Sequence, residues 1–302
     1  MIIGIDIGGS STQGVLLRNG KISGFASIQA SDQLASAAGC LGKILSESKV
    51  GVHQIEAVAT TGGGSRFIGK SLLGIPVRKV DEIKALGLGG MVLAKKKRCF
   101  IVSIGTGTAM VMVEDGGKRI KHVCGTGIGG GTLKGLFRLL LNKHDIENLE
   151  IMAKKGDLTK INLTVKDIVG KGIGKLSAKA TAANFGKIVD DITHSDIALG
   201  IINLVAEVIG TISTFAARVY GLEKDIVFIG KVTKNKTLMK RIEEVVRTFD
   251  GKCVVPKRAE FATAIGAARA LQMSEKASLI ERIKKRVPSK KAKRKNHRKK
   301  SR

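Results

Sequence analysis

Two stretches about 97 residues apart share one plan, and that repetition limits the fold more than any single motif does. The first is "MIIGIDIGGSSTQGVLL" (Met1–Leu17) and the second is "CFIVSIGTGTAMVMVEDG" (Cys99–Gly116). Each is an apolar strand, a polar Gly-rich turn and a second apolar strand. "NG" at Asn19–Gly20 and "DGG" at Asp115–Gly117 then turn each chain into a third strand. Helix-linked strands follow both hairpins. Ser31 to Ser48 has helical spacing, with Ser31 or Asp32 as N-cap, and a helix starts near Asp81. After the second hairpin, "GTGIGGGTLKGLFRLLL" opens a helix and "TAANFGKIVDDI" is a loop into another. Ile197 to Tyr220 is a long apolar helix, "IVFIG" a strand, and Glu260–Met273 a final helix. The expected fold class is α/β: two duplicated lobes with mixed sheets, 1–98 and 99–276, and a binding cleft between them.

The remaining segment, 277–302, is different. From Arg282 to Arg302 there are 13 Lys/Arg and no acid, within a net charge of +28. Such a run buries nothing and is expected to be a disordered tail. It suits non-specific binding to a polyanion (RNA, DNA or an anionic membrane), or it is a solubilising appendage. The hydrophobic content of 43% is ample for a core. The longest apolar runs carry polar breaks, so no membrane span is expected. The N-terminus lacks a basic region before its apolar stretch, which argues against a signal peptide. Four widely spaced cysteines without a CxxC suit reduced thiols in a cytoplasmic protein.

The two turns suit phosphate. Glycines let backbone N–H groups approach closely, and hydroxyls add donors. The first offers Gly8, Gly9, Ser10, Ser11, Thr12 and Gln13; the second offers Gly105, Thr106, Gly107 and Thr108. Either alone reads equally as an ordinary hairpin, whereas one per lobe suits a clamp on a single polyphosphate. Asp6, at the end of the first strand, is placed to hold Mg²⁺ beside the phosphates. Gly129, Gly130 and Gly131 precede Thr132 at a helix start, where the N-terminus would face an anion. Glu82 is either a helix-favouring acid or a general base acting on a hydroxyl. Arg119, Lys121 and His122 either attract an anionic substrate or form a solvated strand end. Lys231 and Lys234 either contact phosphate or face solvent.

In order, "GIDIGGS", "TTGGG", "KVDEIKALGLGG", "IGTGTAMVMVEDG", "GTGIGGGTLKGL", "TAANFG", "IVFIG" and "EFATAIGAARAL" resemble the type II pantothenate kinases over roughly residues 1–272. That resemblance implies actin-like (ribonuclease H-like) lobes with an ATP cleft. It implies transfer of the ATP γ-phosphate to the primary hydroxyl of pantothenate, the first step of coenzyme A synthesis. A homodimer through the long helix and feedback by acyl-CoA are implied as well. Glu82 falls on the catalytic glutamate and Asp6 to Gln13 on the ATP-phosphate loop. Thr106, Gly107, Gly130, Gly131, Thr132, Leu133, Lys134 and Lys231 fall on or beside other nucleotide contacts, with Glu82, Thr106 and His122 at the substrate. Two residues depart from the family: Gln13 where a lysine is usual, and His122 where an arginine is usual. Two other readings stand beside the kinase. One is a nucleotide or acyl-CoA sensor without catalysis. The other is an ATPase activator of an acyl-CoA dehydratase, to which Cys124 would supply a cluster ligand.

Overall fold

The computed structural model describes residues 1–29, 32–174, 176–187 and 189–286, with side chains through 281. Strands β1 (Ile2–Ile7), β2 (Ser11–Arg18) and β3 (Lys21–Gln29) form an antiparallel meander, and α1 (Gln33–Ser48) follows. Asp32 caps α1 by accepting from the Ala35 N–H at 2.7 Å. β4 (Ala57–Thr61) returns parallel to β1, then β5 (Ser71–Leu72) and β6 (Ile75–Lys79) complete a sheet ordered β3-β2-β1-β4-β6-β5. α2 (Glu82–Ala94) then leads out of this sheet.

The plan repeats. β7 (Cys99–Ile104), β8 (Thr108–Glu114) and β9 (Arg119–Thr126) form the second meander. α3 (Gly130–Leu141), α4 (Ile146–Ala153), β10 (Leu163–Thr164), α5 (Val165–Val169), β11 (Thr181–Ala183) and α6 (His194–Arg218) follow. β12 (Ile226–Ile229), α7 (Lys236–Thr248) and β13 (Cys253–Val254) close a second sheet ordered β13-β12-β7-β8-β9, and α8 (Ala262–Arg286) comes last. Each sheet thus has a meander on one side of a central strand and parallel strands on the other, with β5 added antiparallel at the edge of the first, which is the mixed sheet the repeated hairpins imply.

The helices are arranged less simply than the chain order suggests. α1 covers one face of the first sheet, burying Ile3, Ile5, Ile7, Leu41 and Ile44. The other face, with Ile2, Val15 and Leu17, packs against Ala264, Ala267, Ala268 and Leu271 of α8. α2 lies instead on the second sheet, its Leu86 clustered with Ile101, Val111, Val113 and Val227. The two helices that end the two halves are therefore exchanged, and they cross at the centre of the molecule. The crossing is close because it is made of small residues. A Cβ on Gly89 would lie 1.8 Å from the Ala262 carbonyl oxygen, and one on Gly266 would lie 1.8 Å from that of Ala85.

On its far face the second sheet packs against α3, α4, α6 and α7 around Phe100, Phe137, Ile201, Val205 and Phe228. Among the described residues, α6 is long and apolar enough to cross a membrane, but 61% of its apolar window is buried here as a core helix. The segment "TAANFGKIVDDI" departs from the expected loop into a helix. Thr181–Ala183 is a strand paired with β10. Phe185 then takes a left-handed φ of 57°, and Asn184 is held by Asn203 and Glu207, so no helix starts there. α6 begins later at His194, where Thr193 and Asp196 cap each other. α8 continues as helix to Arg286, past the expected start of the basic tail, and residues 287–302 lie outside the described residues.

Candidate active site

Asp6, Gln13 and Thr61 are cross-strand neighbours. Asp6 is in register with Gln13 on β2 and with Thr61 on β4. Side chains alternate along a strand, so all three share the face that α8 covers lower down. Ser11 lies on this face too, and Gln13 Nε2 donates to its Oγ at 2.7 Å. The Thr12 side chain points the other way, toward α1, and its hydroxyl is buried without a partner. The tip of the turn, Gly8 to Ser10, is open, and the Gly8 N–H donates to the Ser11 carbonyl at 3.1 Å.

Asp6 is where the exchanged helices matter. Glu82 starts α2 and Thr263 starts α8; the Thr263 hydroxyl hydrogen-bonds the Asp6 carboxyl, and the charge of Glu82 is near enough to act on it. Burial pushes its pKa from 3.8 to about 7, and the charge of Glu82 adds to the rise; the Thr263 hydroxyl pulls it back. Gly62, with φ 83°, closes the other side: a Cβ there would lie 2.4 Å from Asp6 Oδ1. The Thr61 hydroxyl beside it is buried and unpartnered. A desolvated carboxylate with an orphaned hydroxyl and no cation next to it fits a divalent ion held through oxygen. Glu82 itself is open to the cleft. Desolvation and its neighbour Asp81 raise its carboxyl above the ordinary range. Asp81 is the α2 N-cap, accepting from the Lys84 N–H at 2.8 Å.

The second turn faces the first. A Cβ on Gly9 would lie 4.0 Å from Thr106 Oγ1, so the two hairpin tips approach across the cleft. Behind Thr106 stands the Gly-rich loop. The Gly130 and Gly131 N–H groups donate to the Gly105 and Thr106 carbonyls, both at 2.8 Å. These amides, expected to be free for an anion, are occupied by the second turn. What they do is fix α3, with its positive N-terminal end, against that turn. Gly107 packs on the carbonyl oxygen of Thr126, which a Cβ would approach to 2.9 Å. Thr132 Oγ1 accepts from the Gly129 N–H at 3.1 Å and donates to the Gly127 carbonyl. The Leu133 side chain is core. Lys134 and Lys231 are exposed beside this loop. The Lys231 ammonium is lowered by desolvation, then by Lys134 and by Lys234, which places like charges together. Lys234 is tied to Glu260 at 3.0 Å.

His122 lies on the α2 face of the second sheet, opposite Val111, two residues beyond Ile120. Gly87 of α2 touches Ile120, while Leu88 and Met91 touch Gly117 in the turn before β9. Going back along α2 from Gly87 to Glu82 is about 7.5 Å, and forward along β9 from Ile120 to His122 about 6.6 Å. The two run the same way, so exposed His122 lies toward the end of the second sheet at which α2 begins with Glu82. Lys121 is drawn away, over the Tyr220 ring at 5.9 Å, and Arg119 pairs with Glu114 at 3.0 Å.

Sequence reasoning missed Thr61, Gly62 and Thr263. The first two stand in "TTGGG", a visible turn signal with no hint that it abuts Asp6. Thr263 has no local signal, since it depends on α8 returning to the first sheet.

Two actin-like lobes, each ending in a Gly-rich hairpin over a shared cleft, define a protein of the ATPase and sugar-kinase fold. The same fold is found in the activator of 2-hydroxyisocaproyl-CoA dehydratase from Clostridium difficile with bound ADPNP. That structure matches with a TM-score of 0.66 at 18% identity, over 93% of this chain and 97% of that one. At the level of sequence the match is narrower: the Fumble family model covers residues 98–269, and the chain belongs to that family. It is 37% identical over 190 residues to the type II pantothenate kinase of Oceanobacillus iheyensis, 60% of this chain and 69% of that one. It is 31% identical over 225 residues to the type II pantothenate kinase of Staphylococcus aureus, 71% of this chain and 83% of that one.

Proposed function

We infer that the chain is an ATP-dependent kinase that phosphorylates the primary hydroxyl of pantothenate, the first step of coenzyme A synthesis. The observation that carries this reading is that Asp6, buried and within reach of the charge of Glu82, lies at the foot of two facing Gly-rich turns. The names of the relatives support the phosphotransferase class and the acceptor. ATP would lie with its phosphates between Gly8–Ser10 and Thr106–Gly107. Lys134 and Lys231 would neutralise charge, and the Gly-rich loop would support the nucleoside. Asp6, with Thr61 beside it, would hold Mg²⁺, which when bound shields the phosphate charge.

Glu82 performs the proton transfer. Its raised carboxyl places it nearer neutrality, which suits a base working near pH 7. It takes the proton of the acceptor hydroxyl as that oxygen bonds to the γ-phosphorus. The bond from γ-phosphorus to the bridging oxygen breaks, and ADP leaves with that electron pair. Thr106 and His122 flank the acceptor. A histidine holds it by hydrogen bonds rather than by a fixed charge. Gln13 stands where a cation would help the phosphates, so the exposed lysines carry more of that work.

The dehydratase-activator reading has less support. Cys124 faces the second lobe's core, its Sγ 3.6 Å from the Met110 sulfur, and burial raises its thiol. No second cysteine lies within the forty residues that follow Cys124, so this chain offers a cluster one ligand there. Cytoplasmic location, a dimer built on α6 and acyl-CoA feedback complete the proposal. ADP formation in the presence of Mg²⁺ should be stimulated by pantothenate and yield a phosphorylated product visible by mass spectrometry. ADP formation that no hydroxyl acceptor stimulates would favour the activator, and nucleotide binding without turnover the sensor.

A further inference from the structure

The outer edge of the first sheet breaks a local rule with no gain inside the fold. The β5–β6 hairpin turns on two residues, Leu73 and Gly74, with φ of 49° and 80°. That is the I′ form, which needs positive φ at both positions and favours Asn-Gly. The same sheet uses that pair elsewhere: Asn19 and Gly20, between β2 and β3, have φ of 49° and 74°. At position 73 a leucine bears the left-handed strain, and it is 57% exposed. A Cβ on Gly74 would meet no atom within 4 Å, so the tip stands clear of the fold. Asparagine would serve the turn better, so the leucine serves something outside it.

The rest of this edge has one character. Phe67, which ends the short helical turn Gly63–Phe67, is 55% exposed, with the Arg66 guanidinium 4.7 Å from its ring centre. Lys79 Nζ donates to the Arg66 carbonyl at 3.4 Å, and the Val77 N–H donates to the Lys70 carbonyl at 2.9 Å. Arg66, Lys70, Arg78 and Lys79 therefore line one edge, which runs about 13 Å along β6 from the Leu73 turn to Lys79. All four are exposed, and among the described residues none is in an ion pair. The flanking acids have other work. Glu56 pairs with the N-terminus, Asp32 and Asp81 cap α1 and α2, and Glu82 belongs to the cleft.

The surface that covers this edge has to be anionic and has to accept exposed apolar side chains. A second copy of the same edge would be repelled. A nucleic acid answers the cations, but its backbone offers a leucine side chain nothing. An anionic membrane answers both, because its headgroups meet the cations and its acyl boundary receives Phe67 and Leu73. We propose that the edge from Arg66 to Lys79 docks this protein on membrane surfaces that carry anionic lipid. The proposal is independent of the kinase reading.

The test uses the full chain and vesicles of phosphatidylcholine with phosphatidylserine, with binding read by sedimentation at about 0.1 M salt. Phe67→Ser and Leu73→Asn should each weaken binding about 4- to 10-fold, the loss of one half-exposed anchor. Lys70→Gln with Arg78→Gln should weaken it about 25-fold, about fivefold per cation. Leu73→Asn should keep or raise the thermal midpoint, and every variant should keep the parent's ADP formation without vesicles. The basic C-terminal run is common to all of them, so the difference between them reports this edge. Hydrogen exchange of the parent should slow within residues 66–79 when vesicles are added. Unchanged binding by both Phe67→Ser and Leu73→Asn, or no slowing at this edge, would overturn the proposal. So would tighter binding to a random-sequence DNA duplex that falls with the paired Lys70→Gln and Arg78→Gln changes, which would make this a nucleic-acid surface instead.

Discussion

Replacing Asp6 by asparagine should make the metal-free protein more stable at neutral pH while abolishing its activity. The Asp6 carboxyl is desolvated at the cleft floor and lies near Glu82, which together raise its pKa from 3.8 to about 7. The folded state therefore holds this proton more tightly than the unfolded chain does. Its contribution to stability is complete below about pH 4 and is lost as pH rises through about 7. At about 1.36 kcal/mol per pKa unit, the whole loss is about 4 kcal/mol, and between pH 5 and pH 8 it is about 2–3 kcal/mol. Asparagine keeps the shape, can still accept from the Thr263 hydroxyl, and does not titrate. Urea denaturation in EDTA from pH 5 to pH 8 should show the parent losing stability relative to Asp6→Asn by that amount. Saturating Mg²⁺ with ATP should reverse the order at pH 8, because only the carboxylate holds the ion. Parallel pH profiles for the two proteins, or an asparagine variant less stable than the parent at pH 8 in EDTA, would refute the reasoning.

Other substitutions probe the neighbouring parts. Gly89→Ala should cost about 3 kcal/mol or more of stability by thermal or urea unfolding, because its Cβ would enter the Ala262 carbonyl where α2 crosses α8. Gln13→Lys should lower KM for ATP several-fold and lower the Asp6 pKa, since it places a cation in register with that residue. His122→Arg should lower KM for pantothenate with little change in kcat, as expected for uniform binding of a carboxylate; an unchanged KM would move the acceptor away from β9.

The sequence made the repeated meanders legible because β1 and β7 are near-continuous apolar runs that stop at Gly-rich turns. Buried central strands have that look, and no alternative pattern competes with it. The facing of the two turns followed from the duplication alone. The exchange of α2 and α8 was not legible. Ala85 to Gly90 is buried all along its length, so the pattern says that α2 is covered and not by which sheet. The small residues that allow the crossing look like ordinary helix fillers. The grouping of Asp6, Glu82 and Thr263 depends wholly on that exchange, so it lay beyond any local reading. The segment from Asn142 to Thr193 was opaque for another reason. Its elements are short, and its order comes from buried side-chain contacts such as Asn203 with Asn184 and Arg241, which have no periodicity. The amides of Gly130 and Gly131 were expected to face a ligand, but a loop's glycines cannot reveal whether another loop will occupy them.

The central claim is that Glu82 removes the acceptor's proton in an otherwise intact ATP cleft. Glu82→Gln measured beside the parent tests it most directly, with ATP affinity by calorimetry and pantothenate-stimulated ADP formation by a coupled assay. The account predicts ATP affinity within about twofold of the parent and stimulated turnover reduced by about 10²- to 10⁴-fold. Pantothenate-stimulated turnover at the parent rate would contradict it.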